Sequence, residues 1–222
     1  MLSSNQTELE LFKSAYYKNN LETLKQIMTK SNAKFMHYIL DDEKDILHLC
    51  GCNGEEDMLK MLLEEFNPDV NLKNWYDRTP ASYAAKYNHF GCILLLLKHG
   101  ANFKEDHYFM RDLDDYLAIN YFCKNIPAVK KLVSFSKAAN KINDDEIDYD
   151  NINYDQQNQP NYEELTLRIN DNGKLQLEAE IDYVFDTFSQ LLEFVSIVTN
   201  NTLTIKEIDG SIAVTGTAIY VF

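Results

Sequence analysis

The sequence predicts an α-solenoid of about four helical repeats over residues 5–135. An acidic linker (136–160) and a small α+β domain of ββαββ order (161–222) follow it. Three observations carry this reading. Leu47-His48-Leu49-Cys50-Gly51 aligns with residues 81–85, 34 positions downstream. The stretch from Lys141 to Asp155 is acidic, Asn-rich and lacks a helical period. From Leu165 onward the apolar period falls to two.

Residues 77–102 hold the best-formed repeat. Thr79 is placed to cap a helix and Pro80 fits its first turn. Ala84 and Ala85 are small enough for a neighbouring helix to approach closely. Asn88-His89 marks a turn. Ile93, Leu96 and Leu97 give the second helix its core side, and Gly100 suits a left-handed C-cap. This run resembles an ankyrin repeat. In the upstream copy Gly54 aligns with Asn88, and Met58, Leu59, Leu62 and Leu63 continue the second helix. Asp45-Ile46 stands where Thr-Pro is expected, but Asp also caps. Phe12 to Met28 resembles an N-terminal capping repeat, and Tyr116 to Val133 a fourth, atypical one. Residues 29–44 and 103–114 exceed a standard connection and are expected to form decorated loops.

The resemblance implies a binding surface built from hairpin tips and the exposed ends of the first helices. Carried over by position, it takes in Trp75, Tyr76, Arg78, Lys86 and Tyr87 of the third repeat. The second contributes Asp41, Asp42, Lys44 and Asn53. The fourth contributes Arg111, Asp112, Asp114 and Phe122, and the first Tyr17 and Lys18. Trp, Tyr, Phe and Arg are the types enriched at binding hot spots. Trp75, the only tryptophan, sits at a hairpin with no core duty. Its bland alternative is packing on a neighbouring hairpin or on the C-terminal domain.

Residues 161–222 read as two hairpins around a helix. Leu165, Leu167 and Ile169 alternate with polar residues, Asp171-Asn172-Gly173 turns, and Leu175 to Ile181 return. Phe188, Leu191, Leu192, Val195 and Val198 have helical spacing within 186–199. Leu203 to Ile208 and Ser211 to Phe222 flank the Asp209-Gly210 turn. The final Ile-Tyr-Val-Phe is apolar on both faces, so this strand is expected to be central or covered.

The net charge is −14, and 45% of residues are hydrophobic. The composition supports a packed core. The charge argues against nucleic acid and anionic membranes, which need a basic footprint. An acidic surface can instead steer a basic partner. There is no apolar run of membrane-spanning length. Met1–Glu10 lacks the features of a secretory leader, and the four cysteines fall in helices, so a reducing cytoplasm is the expected compartment.

Signs of catalysis are few. His48 and Cys52 share a helix face, but Cys50 points elsewhere, so small-residue packing is preferred over metal binding. Glu178, Glu180 and Asp182 share a strand face and read as a solvated surface. Phosphate loops and nucleophile elbows are absent. No cofactor is expected. Function is therefore read as non-enzymatic protein binding, in one version neutralising a basic partner such as a toxin, as immunity proteins do. Alternatives are a host-directed effector or adaptor, and a small C-terminal enzyme with the repeats as targeting arm. A structural subunit whose C-terminal strand pairs with another copy is a further alternative.

Overall fold

The computed structural model describes residues 4–137 and 164–222, which gather into two compact units, Met1–Asp114 and Asp115–Phe222.

The first unit is built from helix pairs. They are α1 (Ser4–Tyr17) with α2 (Leu21–Lys30), α3 (Ile46–Asn53) with α4 (Glu56–Phe66), and α5 (Pro80–Lys86) with α6 (Phe90–Lys98). A short α7 (Phe109–Asp112) follows. Helices α3, α5 and α7 pack in succession, and α2, α4 and α6 form a second layer. Leu24, Met28, Leu59, Leu62, Ile93 and Leu96 supply the buried side of that second layer.

Local chemistry explains the helix ends. Thr79 accepts from the Ser82 amide and Pro80 fills the first turn, where no N–H is needed. Asp45 does the capping in α3, accepting from the Leu47 and His48 amides at 3.0 and 3.1 Å. The departure from Thr-Pro therefore leaves the cap intact. Asn19, Gly54 and Asn88 each adopt a left-handed backbone between the two helices of a pair, with φ of 50°, 72° and 58°. That shared requirement is why Gly and Asn align there.

The two long connections are more ordered than decorated loops. In the first, Phe35 and Met36 are buried, and Phe35 stacks on Phe12 at 5.1 Å. In the second, Phe103 stacks on Phe109 at 3.9 Å, and Asp106 caps α7 through the Tyr108 and Phe109 amides.

The second unit contains α8 (Asp115–Asn125), α9 (Pro127–Phe135), β1 (Leu165–Ile169), β2 (Leu175–Phe185), α10 (Phe188–Ile197), β3 (Asn200–Ile208) and β4 (Ser211–Val221). The strands form one antiparallel sheet in the order β1-β2-β4-β3. Thus the ββαββ order holds, with α8 and α9 packed on the same sheet. Asp209 and Gly210 both have positive φ, as a tight hairpin turn demands. Thr187 and Gln190 close a capping box at α10. Phe135, Phe185 and Phe194 meet at 5.2 to 5.5 Å and centre the core.

Ser136 is buried and bridges to Ile181 in β2. Residues 138–160 of the acidic stretch, with Tyr149 and Tyr154, lie outside the described residues. The C-terminal strand β4 is central, with β2 and β3 on either side. Both its edges are filled, so it has no free edge with which to pair a second copy.

Gly216 faces β3 at φ 124°, and a Cβ there would sit 2.2 Å from the Thr202 carbonyl oxygen. The clash is with backbone, which cannot rotate away. Gly216→Ala is expected to cost about 2 kcal/mol, read as a lowered thermal midpoint.

Candidate functional site: an aromatic and cationic groove in the repeat unit

The groove begins with two hairpin tips. In the first, Asp41 and Lys44 bridge across Asp42 and Glu43, both left-handed at φ 39° and 59°. In the second, the Asn74 amide side chain organises the tip. Its Oδ1 accepts from the Tyr76 and Arg78 amides at 3.0 and 3.1 Å, and its Nδ2 donates to Tyr83 Oη at 3.0 Å. Such side-chain-to-backbone bonds are the reason Asn suits turns. Trp75 is pushed outward at this tip and is 86% exposed.

These tips, the end of α5 and the Tyr108–Arg111 segment border an open groove of about 690 Å3. It brings together Asp42, Lys44, Trp75, Tyr76, Arg78, Lys86, Tyr87 and Arg111 from the predicted surface. Tyr83, Tyr108 and Asp77 line it too. Sequence reasoning missed these three. Tyr83 lies in the core-facing run of α5, and Tyr108 lies in a connection outside the repeat register.

The floor is a cation–aromatic network. Arg78 donates from Nη1 to Asp112 Oδ2 at 2.6 Å, and its guanidinium lies 4.2 Å from the Tyr108 ring centre and 5.6 Å from that of Tyr83. Arg111 donates from Nε to Asp112 Oδ1 at 2.9 Å and covers the same Tyr108 ring at 4.7 Å. Burial pushes the Asp112 carboxyl up, but bonds from Arg111 and Arg78 outweigh it and hold the group below the usual carboxylate range. Asp112 thus sits beneath the surface as an anchor. Lys44 Nζ binds Asp42 at 2.8 Å and rests 5.4 Å from the Tyr83 ring. Tyr76 Oη donates to Asp42 Oδ1 at 3.3 Å, and the Asp42 charge raises the phenol's pKa. Lys86 Nζ lies over Tyr87 at 5.3 Å. Two of these links, Asp42 to Tyr76 and Arg78 to Asp112, span 34 residues, the repeat length.

The other predicted positions lie elsewhere. Tyr17 is exposed and donates to the Leu40 carbonyl at 3.4 Å. Asp41 is exposed at the first tip, and Asp114 is exposed at the end of the first unit. Asn53 binds Tyr16 and Glu55, at 3.1 and 3.4 Å. Phe122 corrects the expectation: it is fully buried in the second unit, 4.8 Å from the Phe222 ring. The repeat register puts it on a free face, but α8 turns that face onto β1 and the chain's last residue.

His48 Nδ1 lies 2.7 Å from Asp45 Oδ1 and its Nε2 lies 3.0 Å from the Arg78 carbonyl oxygen. Both ring nitrogens are therefore engaged within the protein. Burial drives the Cys50 thiol up and that of Cys92 to about 12, so both remain protonated packing groups. Among the described residues no three His, Cys, Asp or Glu side chains converge as a metal site. No described helix is long and apolar enough to cross a membrane. In the second unit, Glu178 accepts from Gln176 and pairs with Arg168 at 3.2 Å, and Glu180 accepts from Thr217.

The family described as ankyrin repeats (three copies) matches residues 11–107. A protein of Arabidopsis thaliana bearing the name E3 ubiquitin-protein ligase XBAT31 is 33% identical over 81 residues, 36% of this chain and 17% of its own length. A protein of Caenorhabditis elegans bearing the name glutaminase 3 is 34% identical over 55 residues, 25% of this chain and 9% of its own. The chain therefore spans less than a fifth of the length of either relative. Paired helices, left-handed inter-helix turns, hairpin tips and the family match agree on ankyrin repeats in residues 11–107.

Proposed function

We propose that the chain is a non-enzymatic binding protein that grips another protein through the groove of its repeat unit. The observation that carries this is Trp75, 86% exposed on an ordered hairpin tip, beside half-exposed Tyr76 and Tyr87. Large apolar rings held out by a rigid scaffold form ready anchors, because little freedom is lost when a partner docks. Nothing in this reading requires a cofactor.

We count α8 and α9 as a fourth, modified repeat. Helix α3 begins at 46, α5 at 80 and α8 at 115, a nearly constant step. Neutralisation of a basic partner, as an immunity protein would do, draws support from the net charge of −14. That charge resides largely outside the groove, so a basic partner would be steered to other surfaces. An adaptor or effector role uses the same groove, whereas an enzymatic second unit finds no support in Glu178 and Glu180, which are bonded to Gln176, Arg168 and Thr217.

The test is affinity capture from native lysate with the wild-type chain and with Trp75→Ala/Tyr87→Ala, followed by calorimetry on the identified partner. The double variant is expected to lose more than ~2 kcal/mol of binding with its thermal midpoint nearly unchanged. Equal affinity for the two proteins refutes the reading.

A further inference from the structure

The groove's charge is opposite to that of the chain. Four of the thirteen Lys and Arg in Met1–Asp114 line it, against two of the eighteen Asp and Glu. Lys44 is neutralised by Asp42, and the Arg78 side chain is only 12% exposed and clamped by Asp112. Lys86 and Arg111 differ. Lys86 is exposed and, among the described residues, pairs with no carboxylate. Arg111 is 59% exposed at its side chain and commits only Nε to Asp112. Its terminal nitrogens thus remain available to a guest.

The aromatic faces show the same asymmetry. Arg78 and Arg111 lie over Tyr108, and Arg78 and Lys44 lie over Tyr83. Those rings have used their cation-binding capacity internally. An incoming Lys or Arg would find these sites taken and two like charges waiting. An incoming carboxylate would find two exposed cations whose side chains lean on Tyr87 and Tyr108.

We infer that the groove takes an acidic peptide segment, with an aromatic or aliphatic side chain stacking on Trp75 and flanking carboxylates reaching Lys86 and Arg111. This rests on the protein-binding reading and narrows it. A polyanionic nucleic acid fits less well, because its run of phosphates would extend beyond the groove over a surface where acids outnumber bases. A short peptide keeps its charges inside.

The experiment is selection of short random peptides displayed against the full chain, in parallel with Trp75→Ala/Tyr87→Ala and Lys86→Glu/Arg111→Glu. Peptides enriched on the wild type are then measured by fluorescence anisotropy, beside versions with Lys in place of each acid and a single-stranded oligonucleotide. Enriched peptides are expected to be net negative and to carry an apolar residue. They should bind about tenfold or more tighter than their Lys-substituted versions, and should weaken as salt is raised. On Lys86→Glu/Arg111→Glu the preference is expected to reverse. Enrichment of neutral or basic peptides that still depend on Trp75 and Tyr87 overturns the acidic chemistry and leaves the groove's role standing. Enrichment indifferent to Trp75 and Tyr87 overturns that role as well. Tighter binding of the oligonucleotide overturns both.

Discussion

Gly51→Ala is expected to lower stability by about 3 kcal/mol or more, although alanine is the better helix former by roughly 1 kcal/mol. The sign is set by one approach. A Cβ on Gly51 would lie 2.3 Å from the Pro80 carbonyl oxygen and 3.2 Å from its carbonyl carbon. Both atoms are backbone at the start of α5, so relief requires moving a helix rather than a side chain. Since α3 and α5 stack directly, the shift would spread through the buried side chains between them. Gly100→Ala serves as the control. Gly100 is left-handed at φ 93°, and a methyl added there would meet nothing within 4 Å. Alanine should therefore cost only about 1 kcal/mol at that position. Urea unfolding followed by far-UV circular dichroism compares the two. A Gly51→Ala protein as stable as the wild type would show that α3 and α5 do not approach as closely as described.

This site also marks where the sequence stops speaking. Alignment with Ala85 announces that position 51 must be small. It does not announce that even a methyl is too large, because that depends on a contact 29 residues away along the chain. The same division runs through the fold. Caps at Thr79 and Asp45, the turns at Gly54 and Asn88, and both hairpins of the second unit were legible, since each is fixed by chemistry within a few residues. The packing of α8 and α9 on the sheet was not, and Phe122 is the consequence. Its place in the repeat register says exposed, whereas the strand end that buries it arrives 100 residues later.

The groove divides similarly. Its rim was legible because hairpin tips and first-helix ends recur at the repeat length, the one carrying Trp75 and Tyr76 and the other Tyr87. Its floor was not, because Tyr83 and Tyr108 enter from a core helix and an irregular segment. Net charge and groove charge point in different directions. A chain at −14 suggests a basic partner, but binding energy depends on charges within a few ångströms of the guest. In the proposed groove those nearby charges are Lys86 and Arg111.

Asp45→Ala is the second large effect, at about 3 kcal/mol. Asp45 is 1% exposed and serves four groups at once. One oxygen caps the Leu47 and His48 amides and meets His48 Nδ1, and the other meets His37 Nδ1 at 3.0 Å. Loss of an N-cap costs about 1 kcal/mol. The buried imidazole left without its carboxylate adds roughly 1–3 kcal/mol more. His48 also reaches the Arg78 carbonyl, so the damage passes from α3 to the groove hairpin. Asp45→Asn, which keeps an acceptor oxygen for the cap but not the charge, should fall between. The acid limb separates charge from shape. Burial pushes the Asp45 carboxyl up, yet bonds from His48 and His37 prevail and hold it below its ordinary value. A depressed folded pKa gives stability that is complete above the unfolded value of about 3.9 and is lost as pH falls through the folded one. Urea midpoints measured from neutral pH downward should therefore fall below about pH 4 in the wild type, with a shallower fall in Asp45→Asn. Parallel acid limbs for the two proteins would mean that the Asp45 charge contributes nothing, and that the cap geometry alone holds α3 in place.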